Sequence, residues 1–154
     1  MITIDEIDRH ILRELQHNSR ITNQELADRV GLSPSPCLRR VRRLEESGVV
    51  SSYTAIVDQT ALGLPITAFV RITLEQHRPE VVDAVEEHIR SIPQIVEAHL
   101  LAGDQDYLLK VVTESFATYE QLVRSQLRRI PSLASVQTTF AFAVTKPTTP
   151  LPIA

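Results

Sequence analysis

The apolar residues of this chain change period near residues 58–65, and that change divides what it can fold into. Before it they recur at helical spacing: Ile4, Ile7, Ile11, Leu12 and Leu15, then Leu26, Ala27 and Val30. After it they alternate, as in "ITAFVRITL", where Ile66, Ala68, Val70, Ile72 and Leu74 share one face. Two small domains of different class follow, the first all-helical and the second mixed.

The first part reads as three short helices. One spans roughly 5–17. A second spans about 23–30, opened by Thr22 and Glu25 in capping-box spacing, with Ile21 and Leu26 placed as a hydrophobic staple. Gly31 supplies the left-handed residue past its end. In "LSPSPCLRRVRRLEESG" a third helix begins at once, with Ser35 expected as N-cap, Pro36 at the first helical position and Gly48 as terminator. At about 100° per residue, Leu44, Cys37, Val41 and Leu38 fall on one arc and Arg42, Arg39, Arg43 and Arg40 on the other. One face is built to pack and the other to present guanidinium groups. Paired glutamates at 45 and 46 give the bland alternative, a solvated face of internal ion pairs.

Charge points the same way. The chain carries −3, yet residues 1–57 balance eight Arg against eight Asp and Glu, leaving eight basic and eleven acidic groups for the remainder. A polyanion has to meet the first part at its arginine cluster. Helix, sharp glycine turn and basic helix in that order is the helix-turn-helix pattern, whose second helix enters the major groove of double-stranded DNA. Arginine forks pair with guanine edges or phosphate. The expected DNA-facing set is Thr22, Asn23, Ser33, Ser35, Arg39, Arg40, Arg42 and Arg43. "GVVSSYTAIVD" after Gly48 has β-branched alternation and reads as a strand, a wing or a connector.

The second part reads β-α-β-β-α-β. Its helices start at Pro79 and Ser115, the latter with Phe116, Tyr119, Val123, Leu127 and Ile130 inward. "RSIPQI" and "RRIPSL" mark the same helix-to-strand joint twice, and the last strand alternates at Val136, Thr138, Phe140 and Phe142. A ferredoxin-like split βαβ sandwich is expected. Its helices cover one sheet face, so Phe69, Leu109 or their neighbours on the other need a cover, and a second copy of the chain is the simplest.

Other classes lack support. The five His show no metalloprotease spacing, and no phosphate loop or nucleophile elbow is present, so no catalytic residue, metal site or cofactor is expected. One cysteine, Cys37, permits no internal disulfide and sits on the inward arc. No signal-like or membrane-spanning run is seen, and a cytoplasmic protein with no membrane partner is expected.

The segments "IDRHILRELQHNSRITNQELADRVGLSPSPCLRRVRRLEESGVV" and "HLLAGDQDYLLKV", with the ending "KPTTPLPIA", strongly resemble the Lrp/AsnC, or feast/famine, family of transcriptional regulators. The resemblance implies an α+β chain: a winged helix-turn-helix domain over 1–50, a connecting strand and linker over 51–64, a ferredoxin-like effector-binding and oligomerisation domain over 65–145, and a Pro-rich tail over 146–154. It implies a homodimer, assembling further to an octamer, and a small-molecule effector, usually an amino acid. The effector residues it implies are Ala102, Gly103, Asp104, Gln105 and Asp106, with Thr138, Thr139 and Phe140. Gly103 would permit close approach, turn N–H groups would hold a carboxylate, and Asp104 or Asp106 an ammonium. Residues alone would make "GDQD" a plain hairpin turn. The competing function is a ligand-independent architectural DNA binder.

Overall fold

The computed structural model describes residues 3–153. The chain divides into two compact units, Met1–Ile56 with Thr145–Ala154, and Val57–Val144. Residues 146–153 of the Pro-rich tail fall in the first unit, as do residues 51–56.

In the first unit, α1 (Glu6–His17) is capped by Asp5, which exchanges capping-box bonds with Asp8. Thr22 and Glu25 do the same at the start of α2 (Asn23–Val30). Gly31 closes that helix at φ 70°, the left-handed region that a β-carbon disfavours. The third helix, α3, is Pro34–Glu46 with Ser33 as N-cap, two residues earlier than expected from Ser35. Both prolines fit because the first-turn N–H groups have no partner within a helix. Only one extended residue is then needed ahead of the prolines, and Ser33 takes it at ψ 157°. Ile11, Leu26, Ala27, Cys37 and Leu44 form the core, with Ile21 packed against it. Leu38, placed inward by the helical wheel, is 39% exposed, because α1 and α2 cover only the arc of Cys37 and Leu44.

Residues 51–58 form no strand. A strand needs a neighbouring backbone to complete its ladder, and among the described residues none pairs with this segment. The tail runs back along α1: Leu151 exchanges hydrogen bonds with Gln16, and Ile153 packs on the core of the unit.

The second unit holds β1 (Ile66–Leu74), α4 (Pro79–Arg90), β2 (Ile95–Leu100), β3 (Tyr107–Thr113), α5 (Phe116–Ser125) and β4 (Leu133–Phe140). The strands lie in the order β2-β3-β1-β4, every neighbour antiparallel, which is the ferredoxin-like arrangement. Both helices cover one face, burying Val85, Ile89, Tyr119 and Leu122 against Ala68, Val70, Ile72, Leu109 and Val111. Leu109 pairs with Val70 and is fully buried beneath the helices, so it does not belong to the uncovered face as expected. Phe69 does point there, half-buried, one residue out of phase with Val70. The two joints also differ. The second helix stops at Ser125 and a 3₁₀ turn, Leu127–Arg129, precedes Pro131. Phe116, expected inward, is exposed because α5 turns it outward, and Phe142, expected in the alternation of the last strand, lies beyond the end of β4 and is exposed.

Candidate DNA-reading helix and effector loop

The outward face of α3 is not uniform. Arg39 and Arg42 are exposed and make no ion pair among the described residues. Ser35, Leu38 and all four arginines line one open groove along the helix. Arg40 is half-buried instead, its Nη1 donating to Asp5 Oδ2 at 2.7 Å and to Asp8 Oδ1 at 2.8 Å. Arg43 donates through Nη2 to Asp8 Oδ2. The Asp8 backbone N–H, and after it the Arg40 guanidinium, hold the Asp5 carboxyl below the usual carboxylate range. Asp5, then Asp8, raise Arg40 above its already high ordinary value. Neither Glu45 nor Glu46 is paired with these arginines among the described residues; Glu45 accepts from the Tyr53 hydroxyl at 2.8 Å.

The other expected DNA-facing residues split. Ser33 and Ser35 are exposed, and the Ser33 side chain makes no cap bond. Thr22 is occupied by its capping box, its hydroxyl donating to Glu25 at 2.8 Å. Asn23 donates from Nδ2 to the Pro34 carbonyl at 2.9 Å. It thereby ties the start of α2 to the first turn of α3, which sets the angle of the turn.

In the second unit, residues 101–106 join β2 to β3, and Asp106 anchors them. Its backbone N–H donates to Ile72 O at 2.9 Å, its Oδ2 accepts from Leu74 N at 2.7 Å, and its Oδ1 meets His77 Nε2 at 2.7 Å. That carboxylate is committed to the fold. Asp104 is exposed with no partner among the described residues, as are Ala102 and Gly103. A β-carbon on Gly103 would meet nothing within 4 Å among the described residues beyond its chain neighbours. Gln105 reaches the last strand, donating to Gln137 Oε1 at 3.2 Å.

The three β4 residues do not share a face. Thr138 and Phe140 lie opposite Val70 and Ala68, toward the helices, while Thr139 lies opposite Phe69 on the uncovered side. The Thr138 hydroxyl meets that of Tyr119 at 2.5 Å. The Phe140 ring stands edge-on to Phe116 and Tyr119, at 4.9 and 5.0 Å between centroids. Burial pushes the Tyr119 phenol up, against the opposing hydrogen bond from Thr138.

Residues 4–51 match the family model for winged helix-turn-helix DNA-binding, and residues 67–151 match that for the Lrp/AsnC ligand binding domain. The leucine-responsive regulatory protein of Escherichia coli strain K12 is 43% identical over 135 residues, which cover 88% of this chain and 82% of that protein. The chain belongs to the Lrp/AsnC family. A Neisseria meningitidis transcriptional regulator, solved as its L-Met complex, superposes with a TM-score of 0.91 at 34% identity, over 97% of each chain. An AsnC family transcriptional regulator from Agrobacterium tumefaciens gives 0.90 at 36% identity, over 96% of each.

This Lrp/AsnC chain is thus a DNA-binding transcriptional regulator with a ligand-binding domain, in a family of regulators and not of enzymes. Among the described residues no helix is long and apolar enough to cross a membrane. Sequence reasoning missed the parts that Asp5, Asp8, His77, Gln137 and Tyr119 take in these surfaces. Asp8 carried a signal: with Ile11, Leu12 and Leu15 it keeps the i, i+3, i+4, i+7 spacing, so it is a carboxylate on an apolar stripe. Gln137 and His77 carried none, since only the register of β4 and the path of the 101–106 loop bring them there.

Proposed function

We propose that this regulator reads specific DNA sequences with the outward face of α3 and that a small amino acid, bound at the 101–106 loop, changes its hold on DNA. The observation that carries the first half is the pair of unpaired guanidinium groups, Arg39 and Arg42, beside Ser35 and Leu38. Bidentate guanidinium contacts suit guanine edges, and an apolar side chain suits the thymine methyl. Ser33 and Ser35, at the positive end of the helix dipole, suit a phosphate.

For the effector, support comes from the free Asp104 carboxylate, from Gln105 against Gln137, and from the Neisseria relative solved with L-Met. Asp104 is the ammonium partner in this reading, because Asp106 is consumed by Leu74 and His77. Thr139 and Phe140 are exposed in the single chain, which suits a site completed by a second copy. At least a dimer is proposed, with the uncovered sheet face around Phe69 and the unpaired backbone of 51–58 as its contact surfaces.

The test is a thermal-shift screen against the twenty amino acids. A ligand at about 100 times its dissociation constant adds about 2.7 kcal/mol to stability. One chemical class should raise the midpoint, and Asp104→Ala should remove that rise. If no amino acid shifts it, the effector half is wrong.

A further inference from the structure

The least expected side chain in the first unit is Asp8. It is fully buried, on the stripe of α1 that carries Ile11 and Leu12 into the core. An ionised carboxylate in such a place is tolerated only when paired and hydrogen-bonded. Three donors meet it: Arg40 Nη1 at 2.8 Å, Arg43 Nη2, and the backbone N–H of Asp5 at 3.1 Å. The Asp5 carboxylate takes the same Arg40 nitrogen at 2.7 Å. Two carboxylates of the first helix therefore face two guanidinium groups of the third, and the cluster is neutral.

We infer that Asp8, seconded by Asp5, is a specificity-determining residue that works without touching DNA, by matching the charge of Arg40 and Arg43 and leaving Arg39 and Arg42 as the free cations of the reading helix. This rests on the proposal that α3 meets DNA. Sequence-independent affinity grows with the number of cations available to phosphates, whereas discrimination comes from contacts with base edges. A helix with four free arginines would hold any duplex more tightly and tell duplexes apart less well. The carboxylates hold down the first property and spare the second. Arg43 keeps half its surface exposed, so its outward N–H groups still reach a phosphate, but as part of a neutralised pair. The same contacts bear on the rotation of α3 against α1, because at about 100° per residue the arc runs in the order Arg42, Arg39, Arg43, Arg40, and the two arginines at its α1 end are the ones that meet the aspartates.

Two variants of the full chain test this. Asp8→Asn keeps the shape and an acceptor while removing the charge. Asp5→Asn, on a half-exposed residue, removes a charge and retains an N-cap side chain. Binding is measured to a duplex selected from a random pool and to a duplex of unselected sequence, each across a salt series. The expected result is tighter binding to the unselected duplex, by about three- to tenfold, and a log–log salt slope steeper by about one per cation released. Affinity for the selected duplex should rise less, so the ratio between the two falls. Parallel weakening on both duplexes with unchanged slopes would overturn the inference and leave these aspartates a purely structural part. Should Asp8→Asn unfold, Asp5→Asn carries the same test alone. If Arg39→Ala and Arg42→Ala leave wild-type binding intact, the underlying reading of α3 is wrong, and the inference goes with it.

Discussion

The side chain of Gln16 bonds the backbone of Leu151 in both directions, its Oε1 accepting from N at 2.6 Å and its Nε2 donating to O at 3.2 Å. An amide side chain here does what a neighbouring strand would do, and it fastens the tail to α1. Arg13 adds a longer contact to the Ile153 carbonyl, and Ile153 joins the apolar cluster of the first unit. Removing residues 146–154 should therefore destabilise the DNA-binding unit, by about 1–3 kcal/mol for two hydrogen bonds and one partly buried aliphatic side chain. Gln16→Ala should show a smaller loss in the same direction. Thermal unfolding followed by circular dichroism checks both, and an unchanged midpoint for the truncated chain would mean that the tail does not hold α1.

The arginines of α3 should separate into two classes. Arg39→Ala and Arg42→Ala should each weaken DNA binding by about 1–3 kcal/mol and leave stability within about 0.5 kcal/mol. Arg40→Ala should instead lower stability by about 1–3 kcal/mol, since it strips a charged partner from buried Asp8. Arg71, in the second unit, serves as the neutral control. Paired denaturation and anisotropy titrations distinguish the classes, and equivalent behaviour of the three variants would remove the division.

The two loop aspartates should behave differently although they stand two residues apart. Asp104→Ala should leave the melting temperature alone and abolish the response to the effector. Asp106→Ala leaves the Leu74 N–H and His77 without their acceptor and should cost about 1–3 kcal/mol of stability. Equal melting temperatures for the two variants would contradict the anchoring role of Asp106.

Acid should loosen the first unit progressively, from the ordinary carboxylate range downward. Glu25 is held below its ordinary value of 4.5, first by the Thr22 N–H and then by its hydroxyl, and Glu14 below the same value, first by Arg29. A carboxylate whose folded value is lowered contributes stability that is fully present above the unfolded value. That contribution fades as pH falls through the folded one. Stability should thus be flat above about pH 5 and fall below 4.5, with Glu25→Gln flattening the slope. A midpoint that does not change between pH 6 and pH 3 would contradict this.

Much of this fold was legible in the residues because local signals agreed with the global one. Thr22 and Glu25 fix a helix start, Gly31 fixes a turn, and the alternation in 66–74 fixes both a strand and its buried face. The readings that failed had no tertiary partner to consult. Ser35 and Ser33 both precede proline, and sequence could not tell which one the chain would leave extended. Phe116 and Phe142 satisfy a period but lie just beyond the surface that α5 and β4 actually cover. The arginine face was visible as a face, yet its division required α1 to lay Asp8 against it. Likewise the two aspartates of "GDQD" look equivalent until the loop brings one of them beneath the Leu74 N–H and beside His77.

The measurement that bears most directly on the whole account is an anisotropy titration of a selected duplex, at one fixed salt concentration, with and without the amino acid that stabilises the protein. Linkage predicts that affinity changes with the effector, by about 5- to 150-fold in one direction, and that Asp104→Ala binds the duplex normally but loses the change. Tight binding to the duplex that no amino acid alters would contradict the account and leave a DNA-binding protein governed by salt and DNA flexibility alone.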